Sequence, residues 1–337
     1  VTQLQIIQDI HNKQILQRYK ALKSGQAITP IPNSLTKALQ TLVTRDDIAA
    51  DVLAKLLTPA PCGGLRAKIS DAEPLTLLQA RESYLDDITT ALYSEMDTKY
   101  TDLRADLAGP YKEEKALQQK RTLASTLIGF TARQNSAAEQ QKIIDLYDNA
   151  NCGHDRLVAT SLIGKLRGAK PQDAARIEAD FLKYMSNDTN GTLKAMDILV
   201  GETVDAPKAL LHSALNDPKY GYDWGIPHHG KMVSLHFAAN YENFHKADGS
   251  GYEAIADMAI QAGKINPEVA AAVGGHLTSL NNFDAASAAK MYKALERINA
   301  TPSMPLQLRK AVEDAMDEYS KKNGAQCSGK ANPNCNH

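Results

Sequence analysis

Several features that mark a specialised protein are missing from this 337-residue chain. Its four cysteines, Cys62, Cys152, Cys327 and Cys335, are too few and too scattered for the disulfide framework of a small secreted domain. Neither sign of charge dominates. Thirty-eight Lys and Arg stand against 39 Asp and Glu, interspersed, without the basic stripe of a nucleic-acid binder. No apolar run approaches the ~18 residues of a membrane span, and the first residues lack the charged-then-apolar pattern of a secretory signal. A cytoplasmic setting is therefore expected, or an organelle matrix. The N-x-[ST] triplets at Asn187, Asn190 and Asn299 then read as chance matches.

Self-contained catalytic motifs are also lacking. None of the nine histidines is followed by Glu, which excludes the H-E-x-x-H helix of zinc proteases. There is no G-x-S-x-G nucleophile elbow, no P-loop and no G-x-G-x-x-G turn. His229 and His236, seven apart, share a face if both are helical, with His245 not far on. A three-histidine metal site there competes with the blander reading of hydrogen-bonded structural histidines. Asp86-Asp87 reads as a solvated helix face. The tail 323–337, rich in Gly, Asn and Pro, is expected to be flexible, the alternative being a small loop or metal site made by Cys327, Cys335 and His337.

What the chain does have is helical periodicity. Hydrophobic residues make up 43% of it and charged residues 23%, enough for a sizeable core. Leu4, Ile7, Ile10, Ile15, Tyr19 and Leu22 predict a first amphipathic helix. A second is predicted behind a Ser34 cap, and a third opens at Asp46-Asp47 and buries Ile48, Val52, Leu53 and Leu56. A long helix from Pro74 to about Tyr100 follows. Further helices are predicted at about 112–132, 137–149, 154–167, 171–186, 191–200, 206–215, 228–240, 252–263, 267–280, 284–298 and 304–321. Only Met232–Phe237 could pass for a strand. Short links make neighbouring helices antiparallel, so residues 1–322 are expected to form an all-α, irregular superhelical array of helix pairs, a HEAT- or armadillo-like solenoid.

The densest signal is Asn240–Tyr252, NYENFHKADGSGY. Gly249 and Gly251 can take positive φ, and Ser250 with Glu253 three residues on has the form of a capping box. The local reading is a helix–turn–helix junction. Placing Gly249 at the glycine of a calcium loop puts Phe244 and Lys246 where oxygen ligands are needed, which excludes that loop.

FHKADGSGY resembles the F-H-x-x-D-G-x-G-Y signature of the C-terminal helical domain of bacterial-type aminopeptidase N, a family of zinc metallopeptidases. Asn266-Pro267-Glu268-Val269-Ala270 is similar to that family's N-P-x-V-A helix start. Phe283-Asp284, Lys290-Met291 and Ala294-Leu295-Glu296 follow in the family's order. Upstream, Leu56-Leu57-Thr58-Pro59, Ala80-Arg81-Glu82 and Arg121-Thr122-Leu123, the last read as a helix start, find counterparts, so the resemblance runs from about residue 8 to about 321. It implies a cap that closes over the peptide channel of a catalytic domain not present in this chain. Zinc is expected only in that domain and no cofactor here, with peptides and the catalytic domain or other subunits as partners. Phe244, His245, Asp248, Gly249, Ser250, Gly251 and Tyr252 are then architecture. The family's N-P-N-x-x-x-R-like channel segment aligns with Ile226-Pro227-His228 and Lys231, which makes Lys231, His229 and His228 the substrate-channel residues. Here Asn has become Ile and Arg has become Lys, which loses the planar bidentate fork. The family's tryptophans near 187–196 are missing as well. These departures suit the alternative, a non-catalytic helical scaffold derived from an aminopeptidase.

Overall fold

The computed structural model describes residues 3–185, 189–201, 207–302 and 304–327. Among the described residues the fold is all-α, with no strand and one isolated parallel bridge, Ala72 to Phe283. The chain divides into two compact units. One falls within Val1–Leu65 and Thr76–Met185, the other within Arg66–Leu75 and Ser186–His337.

The first unit begins with α1 (Gln3–Lys23), whose buried face differs from the expected one. His11, Ile15, Arg18 and Tyr19 point inward, while Leu4 and Ile10 are exposed. A polar group can be buried at this position because both His11 nitrogens are bonded: Nδ1 lies 2.7 Å from the Tyr84 hydroxyl and Nε2 lies 2.9 Å from the Leu56 carbonyl. Two helix starts also differ. In α2 (Asn33–Thr44) the cap position is Pro32 and no side chain bonds the first turn, so Ser34 is not the cap. In α3 (Ala50–Leu57) the first-turn acid is Asp51. Asp46 and Asp47 lie before it and pair with Lys99 and Arg45, each at 2.5 Å, so they serve ion pairs rather than the helix end. Val52 is exposed on this helix.

After the short α4 (Cys62–Arg66) comes α5 (Pro74–Asp106), 33 residues long, which passes Tyr100 by almost two turns. Its inner stripe of Leu77, Tyr84, Ile88, Leu92 and Met96 is fully buried, and each such side chain contributes on the order of 1.5–3 kcal/mol. Of the Asp86-Asp87 pair, Asp87 meets the buried Arg18 at 2.5 Å and Asp86 meets Arg133 at 2.7 Å. In α6 (Lys115–Thr131) Arg121 sits mid-helix rather than at a start, and α7 (Ala137–Asp148) is capped by the Ser136 hydroxyl. α8 (Gly153–Ser161) gives way to a 3-10 turn at Ile163–Lys165, ending earlier than its periodicity suggests, and α9 (Pro171–Met185) closes the unit.

The second unit holds α10 (Thr189–Gly201), α11 (Pro207–Asn216), α12 (Pro227–Ala239), α13 (Tyr241–Phe244), α14 (Ser250–Gly263), α15 (Pro267–Gly275), α16 (Ala285–Asn299) and α17 (Leu306–Cys327). Met232–Phe237 is helical. The helix expected over 267–280 ends at Gly275, and a 3-10 turn at Leu280–Asn282 follows. α17 continues to Cys327, past the expected start of the tail, while Cys335 and His337 lie outside the described residues.

Candidate functional site

α12 starts where the loop 221–226 folds back on its first turn. Gly221 takes positive φ, and the Asp223 side chain accepts from the Gly225 amide at 2.7 Å, which sets the turn. Pro227 occupies the first helical position, where its missing N–H costs nothing. Gly230 is required by packing. A Cβ there would lie 2.4 Å from Val269 Cγ1 and 3.2 Å from the Tyr222 hydroxyl, so the bare backbone of α12 packs against the Val269 side chain of α15.

The three expected channel residues share that first turn but not one environment. His229 is buried, and its Nδ1 accepts from the Asp223 amide at 3.1 Å. The proton of the neutral ring is therefore on Nε2, which has no protein partner. Burial lowers its pKa, against the raising influence of Asp223. Lys231 is partly exposed and ion-pairs with Glu268 in the first turn of α15, whose carboxyl the lysine holds below its usual range. His228 is exposed. The turn thus presents His228 and Lys231 outward and turns His229 inward. Further along the same outer face Leu235 is half exposed.

One acidic group that meets α12 from a neighbouring helix carried no sequence signal. Asp197 of α10 is nearly buried and lies 3.2 Å from His236 Nε2 and 3.5 Å from Lys194. Burial raises its carboxyl pKa, while His236 and Lys194 oppose the rise. Among the described residues no three His, Cys, Asp or Glu side chains converge as a metal would require.

The stretch after α12 is built around a hidden histidine. Asn240 caps α13, accepting from the Asn243 amide, and its side-chain amide donates to the carbonyls of Val200 and Gly201. His245 is buried against the rings of Tyr241, Phe244, Tyr252 and Phe283, with Nδ1 at 2.7 Å from the Tyr252 hydroxyl. Burial, helped by the nearby Arg66 charge, lowers its pKa to about 3. Gly249 takes φ 83°, and Lys290 anchors the turn by donating to the Ala247 carbonyl at 2.6 Å.

The capping box does not form. Ser250 is the first helical residue, and its amide and hydroxyl both donate to Asp248 Oδ1, at 2.9 and 2.6 Å. Glu253 turns instead to Arg297 and Lys208. An Asx turn replaces the box because Asp248 reaches the orphan amide first. Gly251 is helical, not left-handed, and its reason is space. A Cβ would fall 2.1 Å from the Asn243 carbonyl oxygen and 2.4 Å from that of Phe244. The other quoted markers also have definite places. Asn266 caps α15 by accepting from the Glu268 and Val269 amides, and Asp284 caps α16 by accepting from those of Ala286 and Ser287.

A family described as a domain of unknown function (DUF3458_C), ARM repeats, matches residues 1–317. The chain belongs to that family. Two curated relatives align with 87% of this DUF3458_C chain. They are the aminopeptidase N of Haemophilus influenzae, 24% identical over 295 residues, and that of Escherichia coli K12, 23% identical over 296. The chain spans about a third of their length, 33% in each case, in the C-terminal part. Among solved structures it is similar in fold to Legionella pneumophila aminopeptidase A in complex with aspartic acid, with a TM-score of 0.80 at 17% identity, over 94% of this chain and 36% of that one. The DUF3458_C chain is thus an aminopeptidase-related helical domain, and the ARM-repeat description agrees with the all-α order of short-linked helices.

Proposed function

We propose that this domain is the helical cap of a zinc aminopeptidase, closing over and shaping the peptide channel of a catalytic domain that lies in another segment. The alignment of 87% of the chain with the C-terminal third of two aminopeptidase N sequences carries this reading. The outer face of α12 offers a peptide His228 and the Glu268-paired Lys231 at its start and the half-exposed Leu235 beyond. A cap of this kind excludes water and orients the peptide without touching the bond that breaks. Zinc and its general base belong to the catalytic segment.

One observation favours the other reading, a helical scaffold derived from an aminopeptidase. Lys231 is tied to Glu268 and His229 is turned inward, so the first turn of α12 has little left with which to grip a peptide carboxylate. The full product of the reading frame that encodes this chain separates the two. Bound zinc and release of N-terminal residues from peptides, with Lys231→Ala raising KM several-fold for tripeptides and leaving an alanine anilide unaffected, is the expected result. A full product without zinc or turnover establishes the scaffold. Stoichiometric zinc and turnover from residues 1–337 alone overturns both.

A further inference from the structure

The loop that leads into α12 is held down by an imidazole. It turns at Gly221, which takes φ 64°, and again at Asp223, whose side chain accepts from the Gly225 amide. Between these turns stands Tyr222, its ring edge-on to Trp224 at 4.9 Å and tilted over His229 at 5.8 Å. The Tyr222 hydroxyl fits against the bare backbone of Gly230. The main chain of the loop is tied to the helix by the Asp223 amide, which donates to His229 Nδ1 at 3.1 Å.

That bond belongs to one protonation state. A ring nitrogen can accept only while it keeps its lone pair. With a proton on both nitrogens, His229 faces the Asp223 amide donor to donor. Its charge would then be buried in the first turn of α12, where the helix dipole opposes a cation. Burial is the largest influence on the His229 pKa and lowers it; Asp223 raises it and His228 lowers it. Charged and titratable groups on the packed helices are engaged elsewhere. Glu268 of α15 is held by Lys231, and His276, just past α15, meets Ser234. Asp197 and Lys194 of α10 meet at His236, two turns further along α12, and Tyr241 and Glu242 belong to α13 beyond its far end. Asp223 is thus the acid that a charged His229 would draw in. Its carboxylate can take the place of its amide only if the peptide at Asp223 turns away, and Gly221 and Gly225 supply that freedom.

We propose that segment 221–226 is an acid-released latch: neutral His229 holds it on α12 by accepting the Asp223 amide, and a proton on Nδ1 frees it to swing about Gly221. Release uncovers the Tyr222–Trp224 pair beside His228. The latch goes beyond the cap reading and does not depend on it.

Trp224, the single tryptophan of the chain and half-buried, is the probe. The test is acrylamide quenching of its fluorescence in the 337-residue chain, titrated from about pH 8 to about pH 5 with far-UV circular dichroism alongside. Quenching should rise about twofold in one step centred below about pH 6.5, with the helical signal unchanged. His229→Asn places an oxygen near the position of Nδ1 and cannot titrate, so its quenching should stay at the neutral-pH value. His229→Phe removes the acceptor and should show the acid value at every pH. Asp223→Asn keeps an acceptor for the Gly225 amide but loses the charge, which should move the step to lower pH. His228→Gln should leave the step in place. The latch is overturned if native quenching stays flat, if the step survives in His229→Asn, or if it disappears in His228→Gln. It is overturned equally if His229→Phe keeps the neutral-pH value, or if the rise coincides with loss of the helical signal and so reports unfolding.

Discussion

The two units each bury a histidine against a tyrosine, and the two pairs are nearly the same object. In the first unit His11 Nδ1 lies 2.7 Å from the Tyr84 hydroxyl with the rings edge-on at 5.7 Å. In the second, His245 Nδ1 lies 2.7 Å from the Tyr252 hydroxyl with the rings edge-on at 5.6 Å. Their settings differ. His11 donates from Nε2 to the Leu56 carbonyl, so its Nδ1 must accept from Tyr84, and Arg18 lies over the tyrosine ring. His245 sits in a cage of aromatic rings. The first pair is held by hydrogen bonds across three helices. The second is held mainly by packing in one short turn. The same contact can therefore be specified by long-range polar complementarity or by a local sequence word.

The largest expected effect comes from breaking the local word. Gly251→Ala puts a methyl group about where two carbonyl oxygens already stand, and neither is the end of a flexible side chain. Overpacking of this sort usually costs about 1–3 kcal/mol, and backbone on both sides places this position at or above the top of that range. Urea denaturation should show the loss in the second unit. A cost below about 1 kcal/mol would mean that α13 and α14 do not approach as closely as described.

The histidine substitutions put the two pairs into direct competition. His11→Phe strands two buried partners, the Tyr84 hydroxyl and the Leu56 carbonyl, whereas His245→Phe takes one partner from the Tyr252 hydroxyl, which also meets Ser287, and adds a ring to an aromatic cage. With roughly 1–3 kcal/mol for each buried group left unsatisfied, His11→Phe should cost more by about that amount. Double variants with Tyr84→Phe and Tyr252→Phe should recover part of each loss. Equal costs for the two histidines would show that the Leu56 bond contributes nothing.

Acid should act on both units in one direction. Burial lowers the pKa of His11 and of His245, the latter to about 3, so the folded state favours the neutral form of each. In the unfolded chain both titrate near 6.5, and below that pH the unfolded state binds more protons. Stability from each is therefore complete above about pH 6.5 and falls as pH drops, by up to about 1.4 kcal/mol per pH unit per histidine. For His245 the fall continues to about pH 3. His245→Phe should flatten the acid limb of a stability–pH curve for the second unit, and an unchanged slope would remove His245 as its cause.

The same contrast shows what a sequence can disclose. His245 and Tyr252 are seven residues apart within one recognisable run, so the pair is readable as part of one motif. His11 and Tyr84 are 73 apart, and nothing in either neighbourhood names the other. The same holds for Arg104, Arg121 and Asp155, and for Asp197 with His236, because ion pairs across helices depend on register, which periodicity does not give. The long helices were legible since their apolar spacing is clear, whereas the short α4 and α13, too brief to show a period, were not. Helix starts were less so, because an acid or hydroxyl near a start is also a ready partner for a basic side chain. Asp46 and Asp47 were drawn to Lys99 and Arg45 in that way.

The smallest expected effect separates the two readings of the α14 start. In a capping box the Ser250 hydroxyl satisfies a backbone amide and Ser250→Ala costs about 1 kcal/mol. In the observed Asx turn Asp248 Oδ1 already accepts from the Ser250 amide at 2.9 Å, and the hydroxyl is a second donor to the same oxygen. Ser250→Ala then removes one exposed hydrogen bond and orphans no backbone group, so a loss of a few tenths of a kcal/mol is expected. Asp248→Ala strands the amide and should cost more than Ser250→Ala. Glu253→Gln, at a residue facing Arg297 and Lys208, should not weaken the helix start. A larger loss from Ser250→Ala than from Asp248→Ala would restore the capping box and return the turn's control to the serine.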